Sequence, residues 1–537
     1  MAEQEINLCL EQAEKLIANA QRTIKENWDA CVNAPFDLAR EHVGRAVHLL
    51  EEARELQLTD SGACMRVAKQ TSAEALDGYF LALPSRVAEA RGVWYRPTEQ
   101  SREEVCRTLD RVQAAGFNEL YLETWFWGYT IYPSRVATAR RVEEQHPAFR
   151  GWDPLEAFVK EAGERGIAVH AWLDGFMVGV DPTGGPVLRT LPEWSAFSRR
   201  QTGSEKPLPQ QETGYFWLDI TNPEVRQYLL DIMKEMIMTY GVAGINLDFM
   251  RFPHSADWKE SYCFSEYARE AFRREHGNDP LGTDAERQQE LWKTWTDWLE
   301  QIEDDFVADL YKEIKSINPQ VIVSAAPEPG AESEKIGNWS QHVDVVIPQA
   351  YYSSPFAVRE SVQLHKNELQ PGNLVYSGIY PMYIRLGALE TVDQVLAARD
   401  LDNGTVIFAF GQASNEAIRV LRMGPWRTKA ISTGMFPLRA IQGLLEAAVV
   451  DVEQVYIPRG VVSEEAAIEI VNRVEFVLGL LQKDDLVTLE TEVLAFKQWI
   501  KEKLEAGIVH PAVELQLTKT LKEIQELLLY SRIKQVK

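Results

Sequence analysis

Carboxylic acids follow several short apolar runs of this sequence, each at the point where a buried strand would end. Asp174 follows AVHAWL, Asp248 follows GINL and Glu328 follows VIVSAAP. Hydrolysis of a glycosidic bond needs two carboxyl groups flanking that bond, one as the acid and one as the nucleophile or base. We predict that Asp248 is the nucleophile or base and that Glu328 or Asp174 is the acid, with Glu123 as a third candidate for the acid.

Aromatic and polar side chains accompany these acids. Sugar rings offer apolar C–H faces for stacking and hydroxyl groups for hydrogen bonds, so such side chains suit a sugar. We predict a stacking platform in the run from Trp125 to Tyr129, because loops commonly carry binding residues; an aromatic lid packed on the rim is the alternative. The predicted substrate-binding residues are Arg96, Glu123, Trp125, Trp127, Trp172, Arg251, Gln349, Tyr351 and Tyr380.

Each acid also has a purely structural alternative. Asp248 could serve only as the ion-pair partner of Arg251, three residues later. Glu328 and Asp174 could bind substrate hydroxyl groups or cap a loop. His170 lies within its apolar run, and we interpret it as a hydrogen-bonded side chain of the core.

Eight short apolar segments alternate with amphipathic helices, a pattern that predicts a parallel sheet. Because eight such units fit a closed (β/α)₈ barrel, we predict a TIM barrel, whose active site lies at the carboxyl ends of the strands. A doubly wound open sheet is the alternative, but no GxGxxG follows the first segment. The predicted strands are 91–96, 119–125, 168–176, 244–252, 321–329, 344–352, 375–381 and 405–410.

Helix starts are predicted from capping residues. Asp153 and Asn222 each precede a proline, which suits the first helical position. Ser101, Thr71 and Thr391 each stand three residues before Glu or Gln, the spacing of a capping box.

Three segments follow from these patterns. Residues 1–88 are predicted to be helical, residues 89–440 to form the catalytic barrel, and residues 441–537 to be helical again. The terminal helices could bind a protein partner or self-associate, and simple bundle packing is the alternative.

Composition excludes several function classes. The formal net charge is −24 and the isoelectric point is near 5.0, so nucleic acid and anionic membranes are poor partners. The sequence contains no run of about 18 apolar residues, so it predicts no transmembrane segment. The five cysteines are scattered, and no HExxH, phosphate-binding loop or GxSxG is present, so we predict no cofactor and no metal. Carboxylate-bound Mg²⁺ or Ca²⁺ stays open.

The amino-terminal stretch MAEQEINLCLEQAEK is acidic and lacks the basic start and apolar core of a secretory signal. The sequence as it stands predicts a cytoplasmic protein. If a leader has been removed, an exported or envelope-associated protein is expected instead.

Six segments occur in an order that resembles one known family: RGVWYRP, GFNELYLETW, GIAVHAWL, LDITNPEVRQYLLD, GINLDFMRFP and VDVVIPQAYY. They are similar to glycosyl-hydrolase-like family 10 proteins, bacterial (β/α)₈ enzymes, over roughly residues 89–425. The resemblance implies a glycoside hydrolase acting on a bacterial polysaccharide, with the glycan strands of peptidoglycan as one candidate. It also implies an exported or envelope-associated protein.

The resemblance bears on single residues. Asp248 matches the family's leading catalytic candidate, but Phe249 stands where some relatives have a second acid. Gln349 and Tyr351 match the family's Pro-Gln-aromatic motif. Many relatives are less acidic at the position of Glu328, which weakens its assignment as the acid.

Two other functions stay open at this point. One is a catalytically silent carbohydrate-binding or cell-envelope scaffold protein that keeps the barrel and its aromatic mouth. The other is a metal-dependent barrel hydrolase.

Overall fold

The computed structural model describes residues 2–180, 184–203, 206, 214–253, 262–281, 285–328 and 336–535. The chain divides into two compact units. One, the helical unit, comprises Met1–Glu89, Ile384–Ala397 and Gln412–Ser531. The other, the barrel unit, comprises Ala90–Tyr383, Ala398–Gly411 and Arg532–Lys537.

All the strands lie in the barrel unit. They are β1 (Ala90–Tyr95), β2 (Glu119–Phe126), β3 (Tyr129–Thr130), β4 (Ala168–Leu173), β5 (Met177–Gly179), β6 (Phe216–Trp217), β7 (Gly244–Leu247), β8 (Ile322–Ala325), β9 (Val345–Val346), β10 (Leu374–Ile379) and β11 (Gly404–Ile407). Eight of them pair in parallel in the order β1, β2, β4, β7, β8, β9, β10 and β11. The short strands β3, β5 and β6 were not predicted.

The sheet closes on itself. Strand β1 pairs with β2 through Gly92 and Glu119, and with β11 through Gly92 and Val406. No edge is left between the first and last strands, so the predicted (β/α)₈ barrel is confirmed and the open doubly wound sheet is wrong. All eight predicted segments hold a barrel strand, although residue 329 of the fifth lies outside the described residues.

Polar groups inside the barrel bond to one another. The indole of Trp94 donates to Asn246 at 3.0 Å, and the Asn246 amide donates to Ser324 at 3.0 Å. His170 is fully buried and stacks on Tyr121, with ring centroids 4.6 Å apart. Its ring nitrogens have no hydrogen-bond partner among the described residues, so the prediction of a hydrogen-bonded core histidine is right in its position and wrong in its bonding.

Helices surround the barrel. They are α4 (Arg102–Ala114), α5 (Arg135–Ala139), α6 (Pro154–Glu164), α7 (Gly185–Thr190), α8 (Pro223–Glu235), α9 (Glu266–His276), α10 (Ala285–Ile317), α11 (Ile336–Trp339) and α12 (Pro355–Glu368). Ser101, Asp153 and Asn222 cap α4, α6 and α8 as predicted, each accepting a backbone N–H of the first turn. Within the described residues, no helix is long and apolar enough to cross a membrane.

The helical unit contains α1 (Ala2–Asp29), α2 (Phe36–Leu56), α3 (Ser61–Leu81), α13 (Ala388–Leu396), α14 (Asn415–Met423), α15 (Pro437–Asp451), α16 (Glu464–Gln482), α17 (Leu486–Glu505) and α18 (Pro511–Tyr530). Two predicted starts are wrong here. Asp60 caps α3 eleven residues before the predicted start at Thr71, and α13 begins at Ala388 rather than after Thr391.

Candidate active site

Asp248 lies immediately after β7, at the carboxyl end of the barrel. Its carboxylate accepts hydrogen bonds from Trp172 Nε1 at 3.0 Å, from Gln349 Nε2 at 3.0 Å and from the backbone N–H of Phe249 at 2.9 Å. Gln349 also donates to the carbonyl of Ala326 at 2.9 Å, which holds its amide in this orientation. Three donors therefore orient one carboxylate at the mouth of the barrel.

Burial and hydrogen bonding act in opposite directions on Asp248. Desolvation raises the pKa of its carboxyl group to about 6, and the negative charge of Glu328 adds to the rise. The bonds from Trp172, Phe249 and Gln349 lower the pKa because they stabilise the charged form. The group is therefore mostly ionised at neutral pH.

Glu123, at the end of β2, is a second buried carboxyl group of the mouth. Arg96 Nε donates to its Oε1 at 2.8 Å. The guanidinium of Arg96 lies 5.0 Å from the ring centroid of Trp172 and 5.4 Å from that of Phe408. Desolvation raises the pKa of Glu123 to about 7, against the opposing effect of Arg96. Glu123 therefore carries its proton for about half of the time at neutral pH.

Asp174 follows β4 and is only 2% exposed. Desolvation raises its pKa well above the usual value, and the charges of Glu123 and Asp248 raise it further. The backbone N–H of Trp127 donates to this carboxyl group, while Oδ1 has no hydrogen-bond partner among the described residues. Asp174, Glu123 and Asp248 thus form one electrostatic cluster around Arg96, as the mutual effects on their pKa values show.

Glu328 is engaged differently. Its Oε1 accepts a hydrogen bond from Arg251 Nη2 at 2.6 Å, and Arg251 is 1% exposed. The guanidinium of Arg251 lies 5.1 Å from the ring centroid of Trp217. The alternative in which Asp248 is the ion-pair partner of Arg251 is therefore wrong, because Glu328 fills that place.

Aromatic side chains line another part of the mouth. Tyr351 and Tyr380 stack with ring centroids 4.9 Å apart and an interplanar angle of 18°. Phe408 packs against both Tyr351 and Tyr383, with centroid distances of 5.8 and 5.2 Å, and against Trp172 at 6.1 Å. Tyr383 is 52% exposed, so this aromatic surface reaches solvent.

The fold places the two tryptophans of the predicted platform after β2 in different surroundings. The pairing of β2 with β4 shifts register between Glu123 and Trp125. Trp125 is fully buried and packs edge-on against Tyr228 of α8, so its prediction as a substrate-stacking residue is wrong. Trp127, in contrast, is 42% exposed and touches the site through its backbone bond to Asp174.

The structure brings most predicted site residues together. Around Asp248 and Glu123 it gathers Arg96, Trp172, Asp174, Gln349, Tyr351 and Tyr380. Phe408, which contacts five of the surrounding side chains, was missed. It directly follows β11, so the strand-end rule would have found it had the predicted strand ended at residue 407 instead of 410.

No group of three or more His, Cys, Asp or Glu side chains in the described residues is arranged to hold a metal ion. The geometry can do acid–base chemistry: an oriented, ionised carboxylate lies near two carboxyl groups whose pKa values burial raises.

Comparison with known proteins supplies the family. A model of the family described as glycosyl hydrolase-like 10 matches residues 87–383, more than half of the chain. The chain belongs to the glycosyl hydrolase-like 10 family. The match spans β1 to β10 and includes every predicted site residue.

Two curated proteins named glycosyl hydrolases are similar to this chain at low sequence identity. A protein named glycosyl hydrolase DigH from Escherichia coli K12 is 23% identical over 273 residues, covering 48% of this chain and 56% of the relative. A protein named glycosyl hydrolase YngK from Bacillus subtilis 168 is 20% identical over 294 residues, covering 48% of this chain and 50% of the relative. The chain thus spans about half the length of the curated relatives it matches.

Solved structures are also similar. The catalytic domain of a β-amylase from Paenibacillus polymyxa has a TM-score of 0.41 and 10% identity, over 64% of this chain and 96% of that chain. An α-galactosidase from Lactobacillus brevis has a TM-score of 0.41 and 13% identity, over 66% of this chain and 42% of that chain.

Proposed function

We propose that the barrel is a glycoside hydrolase acting on a bacterial polysaccharide, with peptidoglycan glycan strands as the first candidate substrate. The observation that carries the proposal is the carboxylate of Asp248, oriented by three N–H donors beside protonatable carboxyl groups and an aromatic surface. Membership of the glycosyl hydrolase-like 10 family and relatives named glycosyl hydrolases support it.

Asp248 acts as the nucleophile or the general base in this proposal. Its pKa of about 6 leaves it ionised at neutral pH, and its fixed orientation aims it at the anomeric carbon or at a water molecule. Either role is compatible with glycoside hydrolysis, since retaining enzymes use a nucleophile and inverting enzymes a base.

Glu123 is the acid that the site supports best. A pKa of about 7 lets it hold a proton near neutral pH and pass it to the leaving oxygen. Asp174 is the second candidate because burial also raises its pKa well above the usual value, although it is 2% exposed. Glu328 is assigned a structural role, because its carboxylate accepts a hydrogen bond from the buried Arg251.

The test compares wild type with Asp248→Asn on a panel of bacterial polysaccharides that includes denuded peptidoglycan glycan strands. We expect sugar release by wild type and a loss of at least about 10²-fold in the variant. Asp344→Asn is the matched control, because Asp344 is also buried but precedes β9, at the opposite end of the barrel. It should lower stability and leave kcat unchanged. Equal activity of wild type and Asp248→Asn would remove Asp248 from the mechanism.

Carbohydrate binding without turnover is the second candidate function. It is favoured because a sugar in solution meets the aromatic surface before the acids. Asp174 is 2%, Glu123 3% and Asp248 7% exposed, while the aromatic surface reaches solvent. Sugar binding by both wild type and Asp248→Asn, with no product from any substrate, would establish this function instead.

A further inference from the structure

A groove with a volume of about 480 Å³ lies between α16 and α17 of the helical unit. Its size falls within the usual range of small-molecule sites. Residues of the two helices face each other across it, and none of them belongs to the barrel. Neither the family match nor the barrel chemistry accounts for this groove, since the match ends at residue 383.

Aromatic rings form the apolar part of the groove. Phe476 lines it and is 53% exposed, so much of its ring is open to solvent. Trp499 lines the opposite side, and the buried Phe496 packs against it with ring centroids 5.9 Å apart. A flat ring surface is therefore offered to solvent on a rigid support.

Polar and charged side chains lie beside these rings. The guanidinium of Arg473 lies 4.8 Å from the ring centroid of Trp499. Arg473, Asn472 and Glu492 line the groove, and their side chains make no hydrogen bond to any described residue. The groove therefore presents both donors and acceptors next to an apolar face.

The charges of the groove cancel. Lys503 and Arg473 supply two positive charges, and Glu469 and Glu492 supply two negative ones. Lys503 Nζ lies 2.9 Å from Glu469, so this pair is largely neutralised. A lining without net charge gives no preference for an acidic or a basic peptide, nor for a polyanion.

We propose that this groove is a carbohydrate-binding site for a neutral oligosaccharide, separate from the barrel. A sugar ring stacks on Phe476, and its hydroxyl groups accept from Arg473 and Asn472 and donate to Glu492. An uncharged ligand with one apolar face and many hydroxyl groups matches this lining. A purely apolar ligand would instead bury the polar groups unpaired, at a free-energy cost.

The test uses photo-cross-linking of the full chain carrying Asp248→Asn, so that the probe is not cleaved. The probes are cellohexaose, chitohexaose and maltohexaose, each with a diazirine at its reducing end, and the cross-linked peptides are mapped by mass spectrometry. We expect saturable cross-links within residues 464–505 that excess unlabelled hexasaccharide removes. Cross-links in the barrel report separately on the proposed hydrolase, so the two proposals fail independently.

Single-residue variants test whether the cross-links depend on this groove. Phe476→Ala should raise the half-saturating concentration at this groove about tenfold, in line with the contribution of one aromatic stacking contact. Leu494→Ala is the control, because Leu494 is equally exposed, at 53%, and lies on α17 outside the groove. Arg473→Gln should also weaken cross-linking. The proposal is overturned if no hexasaccharide labels residues 464–505 at millimolar concentration, or if Phe476→Ala and Leu494→Ala have the same effect.

Discussion

Trp172 Nε1 lies 3.0 Å from Oδ2 of Asp248, across the pair of neighbouring strands β4 and β7. The parallel register that places residue 172 opposite residue 246 puts Asp248 one pleat farther along the same face. Strand pairing therefore sets the position of the indole donor relative to the carboxylate.

Removing this donor should change the pH dependence of the reaction. In Trp172→Phe the carboxylate of Asp248 loses a hydrogen bond that lowers its pKa. We expect the acidic limb of kcat/KM to move to higher pH, by up to about one unit. Trp94→Phe is the control, because that indole donates to the neutral amide of Asn246. An unmoved acidic limb in Trp172→Phe would contradict Asp248 as the ionised catalytic group.

Wild type should show a narrow bell-shaped pH profile. Asp248, with a pKa of about 6, must be ionised, and Glu123, with a pKa of about 7, must be protonated. Activity is therefore lost below about pH 6 and again above about pH 7, with a maximum at about pH 6.5. Initial rates from pH 4 to pH 9 check this. A profile that stays flat above pH 7 would exclude Glu123 as the acid.

Two glutamine substitutions distinguish between Glu123 and Glu328 as the proton donor. Glu123→Gln removes the proposed proton donor and should lower kcat by about 10²- to 10⁴-fold. Glu328→Gln removes the carboxylate that binds Arg251 and should cost about 1–3 kcal/mol of stability, with kcat reduced less than about tenfold. Kinetics and thermal unfolding of both variants give the comparison. The reverse pattern would assign the acid role to Glu328.

Asp174→Asn should stabilise the protein at alkaline pH. Burial raises the pKa of Asp174 well above its usual value near 3.8, so the folded state holds a proton that the unfolded state releases. The resulting penalty is absent below about pH 3.8 and grows as the pH rises toward the pKa of the folded state. We expect a higher Tm for the variant at pH 8 and the same Tm as wild type near pH 3.5. A lower Tm at pH 8 would show that the charged form is stabilised in the fold.

The stacked tyrosines should contribute to substrate binding. Tyr380→Ala removes the ring that packs on Tyr351 and should raise KM about tenfold, with kcat changed less than about threefold. Trp127→Ala tests the exposed tryptophan of the predicted platform in the same assay. Unchanged KM in Tyr380→Ala would show that the aromatic surface does not hold sugar.

The sequence predicted the barrel because local signals agreed with the fold. Apolar runs, prolines at helix starts and capping residues such as Ser101 and Asp153 act over a few positions, and the structure confirms them. Thr71 misled because its hydroxyl bonds to the carbonyl of Val67, four residues back inside α3. A threonine three residues before an acid therefore does not mark a helix start by itself.

The site was less predictable because its geometry depends on distant partners. The pairing of Arg251 with Glu328 joins residues 77 positions apart, and no local pattern specifies it. The bulge between Glu123 and Trp125 turns the Trp125 ring to the helix layer, whereas strict alternation would have kept it on the same face as Glu123. Strand-end counting could locate the acids, but not decide which one would be ion-paired.

The helical unit is assembled from both ends of the chain, with consequences for biosynthesis. Asn33 donates to Asp451, Arg459 covers Trp28, and Gln516 donates to the carbonyl of Ala30. At about 5–20 residues per second, the ribosome needs roughly half a minute or more to deliver these late partners after α1 emerges. The first three helices therefore keep apolar surface exposed while the ribosome synthesises the whole barrel. A chaperone that binds nascent chains would have the longest time to bind at this surface.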